Sequence, residues 1–477
     1  MNDNFDKLRD KCAVFGISMH DTNNAAAELT YNALLTMQHR GQESAGIAVA
    51  KSRTITCKKN SGLVTNVFAP GSLTNMESCI AIGHCQYSML DCNSQSDIQD
   101  DIQPYVTEYL TGRIATVLNG SITNVRKLRE ELMTYGLTFR GTSHGEVISK
   151  LVAYYCMVTE QNLKTEGILE GVKYAAKFLE GSFSLIVMNT GVGASKLFAL
   201  RDSSGFRPLC IGVNADGVAV ASESSALDVC GFDFLRDVNP GEVVQIENGR
   251  ITHQETVLPP ALKDTGLCVF EYVYFARPDS FMDNLSVYEA RVNMGRILAR
   301  DNIIEADAVC GVPNTGLEAA LGYSLQSGIP LISGFVQNTY IGRSFIYPTQ
   351  SLRENAVKLK FNPLKINISG KRIILVDDSL VRGTSTGKTV QMLKNAGARE
   401  VHMLVASPPI KFSCKFGCIR EEDEDNLIAH NMSIEEICKT IGADSLSYIS
   451  IEGLKQACEK CALPQCMQCF ECSGEIL

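Results

Sequence analysis

Up to about residue 250, short apolar runs alternate with segments rich in Gly, Asn and Ser: Ile47–Ala50, Ile80–Ile82, Ile114–Leu118, Ser184–Met188, Leu197–Leu200, Val218–Ala221 and Val243–Ile246. Runs this short, broken this often, predict strands. Two longer segments, Ala25–Met37 and Glu146–Tyr155, carry apolar residues at helical spacing. The pattern predicts a strand-rich domain of sheet layered on sheet, with helices covering it.

From Ile251 to Leu267 the pattern fades through His253-Gln-Glu-Thr and Pro259-Pro260, which predicts a linker. Beyond it the rhythm changes. Apolar strands (Ala308–Val312, Pro330–Phe335, Ile373–Val376, Val401–Val405) alternate with helical stretches (Val287–Ala299, Leu317–Leu325, Gly387–Asn395). Such alternation predicts a parallel α/β domain that binds ligands at the carboxyl ends of its strands.

One of these strands carries candidate chemistry. The run Ile373–Val376 stops at two carboxylates, Asp377 and Asp378; Ser379 follows, then Gly383–Gly387 and a helical pattern. Strand, loop and helix N-terminus offer N–H groups and a positive dipole end to a phosphate, and the paired acids suit sugar hydroxyls or a divalent cation. Two other readings compete. GTSTGKT looks like a Walker A loop, but Gly383 and Gly387 are separated by three residues where that motif needs four, and Arg382 stands at its first glycine. An ordinary strand-to-helix connection with an acidic N-cap is the other.

Composition narrows the setting. A length of 477 residues allows two or three domains, and a net charge of −9 supplies no general basic field for nucleic acid. No apolar run is long enough to span a membrane, and the charged start MNDNFDKLRDK is not a signal peptide, so the expected location is cytoplasmic. Eighteen cysteines in a reducing compartment point to metal rather than disulfides, and five crowd into Cys458, Cys461, Cys466, Cys469 and Cys472. Cys12, which opens an apolar strand, is by spacing alone either a buried small hydrophobe or a nucleophile, the former being commoner.

Taken together, Cys12–Ile17, His39–Ile47 (HRGQESAGI), Asn119-Gly120, Arg201–Pro208, Tyr274–Ser280 (YFARPDS), Ser286–Arg291 (SVYEAR), Gly342–Arg353 and Val376–Thr384 (VDDSLVRGT) resemble the amidophosphoribosyltransferases, the glutamine phosphoribosylpyrophosphate amidotransferases, of iron–sulfur type. The resemblance implies an N-terminal nucleophile domain (α+β, layered α/β/β/α) over 12–250, after a propeptide 1–11. A type I phosphoribosyltransferase domain over 262–455 and a cysteine-rich tail 456–477 would follow. Removal of the propeptide would give Cys12 a terminal amine, pKa about 7.7 to 8, as its general base. Asn119 and Gly120 would be the oxyanion donors.

In the second domain the resemblance assigns Asp377 and Asp378 to the ribose of phosphoribosyl pyrophosphate. Ser379, Arg382, Gly383, Thr384, Ser385 and Thr386 would cradle its 5-phosphate, and Mg2+ would sit by Thr315, Asp377 and Asp378. Gly342–Arg353 would be a mobile lid. Cys268, Cys414, Cys466 and Cys469 would ligate a [4Fe–4S] cluster; zinc on the local set Cys458, Cys461, Cys466 and Cys469 is the alternative. The implied reaction displaces pyrophosphate with ammonia drawn from glutamine, giving 5-phosphoribosylamine, the first step of de novo purine synthesis. Purine nucleotides would inhibit, and the assembly would be a homodimer or homotetramer.

Several positions depart from the family pattern. Gln86 replaces the arginine that holds the glutamine α-carboxylate, and His144 replaces the aspartate that holds its α-amine. Charge-assisted bonds of this kind contribute roughly 1.5–3 kcal/mol each, so weak glutamine binding is expected. Gln337 and Thr339 replace two cations near the phosphates, and Asn314 and Thr315 replace Asp-Ser in the pyrophosphate loop. An ammonia-dependent transferase and a non-catalytic regulatory paralogue are therefore the alternatives.

Overall fold

The computed structural model describes residues 12–20, 23–87, 101–141, 143–163, 167–191, 193–260, 265–338 and 361–471, apart from 415, 417, 418 and 420. The expected propeptide 1–11, the lid Gly342–Arg353, Thr339 and Cys472 lie outside the described residues.

The first domain is built on strands β1 (Ala13–Met19), β2 (Ser44–Lys51), β3 (Thr54–Ser61), β4 (Ile80–Gln86), β5 (Tyr105–Tyr109), β6 (Gly112–Ile122), β7 (Gly181–Thr190), β8 (Lys196–Arg201), β9 (Cys210–Asn214), β10 (Gly217–Ala221), β11 (Asp233–Asp237), β12 (Glu242–Glu247) and β13 (Arg250–Thr256). Two antiparallel sheets result, ordered β11-β9-β10-β1-β4-β2-β3 and β13-β12-β8-β7-β6-β5. Because side chains alternate along a strand, each sheet supplies two apolar faces. Val14, Ala48, Ile82, Val117, Ile186 and Leu197 meet between the sheets. The outer faces are covered by the Ala26–Thr36 helix on one side and by the His144–Leu163 and Ile168–Ala176 helices on the other. This is the α/β/β/α layering of the N-terminal nucleophile fold.

The remaining strands are β14 (Leu267–Cys268), β15 (Phe281–Met282), β16 (Leu285–Ser286), β17 (Ala308–Gly311), β18 (Phe335–Gln337), β19 (Phe361–Pro363), β20 (Arg372–Asp377), β21 (Glu400–Val405), β22 (Ser445–Tyr448) and β23 (Gln465–Cys466). A parallel sheet, β17-β20-β21-β22, forms the centre of the second domain. Its strand β20 reads as an unbroken apolar run from Ile373 to Val376 because both its faces are covered. Ile374 and Val376 enter one core, while Ile373 and Leu375 enter the other.

Three sequence-based boundaries need correction. The expected linker from Ile251 is an edge strand as far as Thr256, so the first domain runs past 250. The boundary at 455 falls inside the Ile451–Ala457 helix, and the tail strand β23 pairs in parallel with β14, which ties it to the start of the second domain. The expected strand Pro330–Phe335 makes only a single bridge at Leu331, and pairing begins at Phe335, against β19.

A hairpin joins the domains. β15 and β16 are connected by Asp283 and Asn284, both at positive φ (45° and 69°), the conformation a two-residue turn of matching twist requires. Asp283 faces the buried Arg201, which donates to its two carboxylate oxygens at 2.9 and 2.7 Å. Its N–H donates to Asp237 at 2.8 Å. Burial, then the charge of Asp283, push the Asp237 carboxyl up to about 7 against the opposing pull of Arg201. An unfolded aspartate titrates near 3.9, so the folded chain holds a proton that the unfolded chain releases. Stability is therefore lost as pH rises from about 4 to about 7. Asp237→Asn should raise the thermal midpoint at pH 8 by roughly 2 to 5 °C and leave it unchanged at pH 4. Equal shifts at both pH values would contradict this assignment.

Candidate active site

In the first domain the nucleophile candidate and the oxyanion candidates arrive on different sheets. Cys12 is half-buried at the start of β1, and its neighbour Ala13 pairs with Cys85 on β4. Asn119 and Gly120 lie on β6. Asn119 is fully buried, and neither its Oδ1 nor its Nδ2 has a hydrogen-bond partner among the described residues. A buried carboxamide without partners is costly in an ordinary core; one kept for a reacting oxygen is expected to look like this. Gly120 has φ +141°, and a Cβ there would stand 2.0 Å from the Ser182 carbonyl oxygen, so only glycine fits.

Gln86 and His144 are held by the backbone and side chains around them. Gln86 ends β4 and accepts from the Ser44 hydroxyl at 3.3 Å. His144 begins the His144–Leu163 helix, and its Nδ1 accepts from the Ile122 N–H at 3.2 Å. Close by, the buried Asp101 accepts from the Ser143 N–H at 3.0 Å.

The second domain places its candidates where the sheet rule predicts. Asp377 ends the central strand β20, and Asp378 and Ser379 follow it; all three are buried. Asp378 is a hub: it accepts from Ser379 Oγ at 2.5 Å and from the Thr315 hydroxyl, while its own N–H donates to Asp377 at 2.9 Å. Thr315 comes from the loop after β17, so the two loops expected to hold one ligand do meet. Gly383 caps the Thr384–Asn395 helix in the left-handed region, φ +81°, with Ile428 against the space a side chain would need. The helix starts at Thr384, three residues before the apolar pattern suggests, which puts Thr384, Ser385 and Thr386 in its first turn. Arg382 reaches Asp423 at 3.2 Å.

Between the half-sites lies a buried ionic cluster that sequence reasoning missed. Glu223, between β10 and the next helix, accepts from His39 Nε2 (2.7 Å), Arg40 Nε, the Arg277 N–H (3.0 Å) and Ser280 Oγ (2.7 Å). Burial alone would raise its carboxyl; Arg40 and His39 outweigh that and hold it well below the usual carboxylate range. Arg40 also bonds Glu271 of the second domain, which Arg207 approaches at 3.5 Å. Beyond Arg277, the Ala276 carbonyl accepts from Arg291 at 2.7 Å, and Arg291 stands 3.8 Å from Glu318. The HRGQ and YFARPDS motifs thus meet on one carboxylate. An acidic residue flanked by Ser222 and Ser224 gave no signal for this, because its partners are distant in sequence.

The tail cysteines approach one another through the backbone. Cys268 on β14 is opposite Cys466 on β23, and the Cys469 carbonyl accepts from the Lys411 and Phe412 N–H groups, just before Cys414. All four pack on one apolar cluster. Among the described residues, no three His, Cys, Asp or Glu stand close enough to hold a metal ion, and no helix is long and apolar enough to cross a membrane.

Two layered antiparallel sheets of the N-terminal nucleophile type, followed by a parallel sheet whose strand β20 ends in paired acids before a helix, make up the architecture of a glutamine amidotransferase of the phosphoribosyltransferase class. A family model described as a glutamine amidotransferase domain matches residues 91–229. The amidophosphoribosyltransferase of Archaeoglobus fulgidus is 42% identical over 447 residues, 94% of this chain and 93% of its own. That of Bacillus subtilis is 37% identical over 467 residues, 98% of this chain and 93% of its own. The solved structure of the B. subtilis glutamine phosphoribosylpyrophosphate amidotransferase complexed with ADP and GMP is similar at TM-score 0.85 and 36% identity, covering 98% of each chain. This chain belongs to the amidophosphoribosyltransferase family, enzymes of purine biosynthesis.

Proposed function

We propose that the chain forms 5-phosphoribosylamine and pyrophosphate from phosphoribosyl pyrophosphate, using nitrogen that Cys12 releases from glutamine. The hub at Asp378, shared by Thr315 and Ser379 in front of a glycine-capped helix, carries this reading. The Cys12 sulfur attacks the amide carbon, its proton passing to the α-amine freed by processing. Asn119 and Gly120 receive the oxyanion, and ammonia leaves with that proton. Water then cleaves the thioester to glutamate. Ammonia attacks C1 of the ribose, the C1–oxygen bond breaks, and pyrophosphate departs. Thr315, Asp377 and Asp378 would hold Mg2+, which supplies charge neutralisation at the pyrophosphate; one or two carboxylates plus substrate oxygens suffice for this ion. Pyrophosphate release with glutamine, with ammonium, and with neither tests the scheme, and release in the third case or in none would refute it.

Glutamine binds weakly in this reading, because Gln86 and His144 leave the zwitterion without the two charges the family pattern provides. Gln86→Arg should lower the glutamine KM by about tenfold or more, with the KM for ammonia unchanged. An unaltered glutamine KM would show that other residues read the carboxylate.

Cys268, Cys414, Cys466 and Cys469 would hold a [4Fe–4S] cluster that pins the tail to the second domain. Support comes from the paired register of Cys268 with Cys466 and the docking of residues 411–412 on Cys469. A four-iron cluster takes its thiolates at wider spacing than a single ion does. Purine nucleotides would act as inhibitors, as the ADP and GMP of the B. subtilis complex suggest.

A further inference from the structure

The Leu118 peptide, immediately before Asn119, is held in an unusual way. Strand β5 pairs with β6 from Tyr105 opposite Thr116, and continuing that register would set residue 103 opposite Leu118. Strand β5 begins only at Tyr105, so the backbone ladder stops short of Leu118. The Gln103 side chain takes over: its Oε1 accepts from the Leu118 N–H at 2.7 Å and its Nε2 donates to the Leu118 carbonyl at 3.4 Å. A carboxamide carries the same donor and acceptor as a peptide group, so it extends the ladder by one pair beyond the end of β5.

A second donor reaches the same carbonyl from the opposite sheet. His84 on β4 places Nε2 3.0 Å from the Leu118 oxygen. The imidazole is fully buried, and burial pushes its pKa down to about 3, so it is neutral and carries its proton on the nitrogen facing the carbonyl. Nδ1 has no hydrogen-bond partner among the described residues, so the bond to Leu118 is the polar contact that orients the ring. His84 pairs with Val14, and the adjacent Cys85 with Ala13, one residue from Cys12. The segment carrying Gln103 is itself anchored: Lys59 Nζ donates to the Pro104 carbonyl at 3.1 Å.

We infer that His84 and Gln103 are positioning residues of the glutaminase half, a strut between the nucleophile's sheet and the oxyanion's sheet that sets Asn119 against Cys12. The inference rests on the reading of Cys12 and Asn119 given above. It follows from the lack of any other anchor: the Asn119 side chain makes no bond to a described residue, so its position depends on its backbone. Loss of the strut leaves substrate binding intact but misplaces the donor for the tetrahedral intermediate.

The test uses the full processed chain. His84→Leu and Gln103→Met should each lower glutamine-dependent kcat on the order of a hundredfold, the cost of a misplacement of about 1 Å, with glutamine KM within about twofold. His84→Gln, whose Nε2 reaches the place of the imidazole Nε2, should recover kcat to within about fivefold of wild type. Ammonium-dependent pyrophosphate release should stay unchanged in all three. A rise in KM at constant kcat, an equal loss with ammonium, or a His84→Gln variant no better than His84→Leu would each overturn the strut. A readout independent of turnover is amide hydrogen exchange in the peptide spanning residues 114–122. It should quicken by about tenfold in His84→Leu and return in His84→Gln; unchanged exchange would also overturn the proposal. Absence of glutamine-dependent release in the wild type would instead refute the underlying reading, and the exchange measurement would still decide the strut.

Discussion

Asp378→Asn should abolish phosphoribosyl transfer with either nitrogen source, whereas glutamine hydrolysis should persist. Asp378 is 1% exposed and its two oxygens accept from Thr315 and Ser379, so neither substituting nor rotating the group is neutral. In asparagine one oxygen becomes a donor that faces a hydroxyl already serving as donor. The charge that would hold ribose hydroxyls and metal is also lost. With about 1.5–3 kcal/mol for each bond to a charged group, two such bonds amount to roughly two to four orders of magnitude in kcat/KM for phosphoribosyl pyrophosphate. Pyrophosphate release measured with saturating ammonium checks this without involving Cys12. A loss of less than about tenfold would mean that Asp378 supports the loop and does not meet the substrate.

Cys12→Ala gives the complementary result. Glutamine-dependent release should fall by on the order of a thousandfold or more, because no other group can form the thioester. Ammonium-dependent release should remain within about twofold, since the second half-site keeps every group it uses. Assaying both variants with both nitrogen donors yields a crossed pattern. Two independent half-sites predict it, and a single shared catalytic group does not. If Cys12→Ala retained glutamine-dependent release, the chain would be using free ammonia generated elsewhere in the preparation.

Much of the fold and half of the candidate site are legible in the amino-acid sequence, for reasons that differ by residue. The buried parallel strand β20 announces itself, because a run apolar on both faces that stops at Asp377 and Asp378 fits the middle of a covered sheet and little else. Strand β13, Arg250–Thr256, does not, because an edge strand with one wet face spends most of its positions on polar side chains. The same holds for β3 and for β22, whose sequence SLSY carries two serines. Asn119 and Gly120 are legible only through resemblance: an Asn-Gly pair by itself is a turn signal, yet here it lies within a strand. Glu223, Arg40 and Glu271 are invisible for another reason. No periodicity marks a carboxylate whose partners lie about 180 residues before it and 54 to 57 residues after it. His84 and Gln103 are concealed likewise, since their distinctive contact is with the Leu118 backbone.

The ionic cluster around Arg40 bears on how this chain can change over evolutionary time. Glu223 and Arg40 belong to the first domain, Glu271 and Ser280 to the second, and their side chains are closed off from solvent at the seam. A hydrolase half transplanted onto a different acceptor would keep the Arg40–Glu223 pair but lose Glu271 from Arg40 and the Arg277 N–H and Ser280 hydroxyl from Glu223, and each buried group left without such a partner costs about 1–3 kcal/mol. Exchange of whole modules at the linker is therefore disfavoured unless both faces change together. Point substitution inside each half, away from this seam, is the easier route to change.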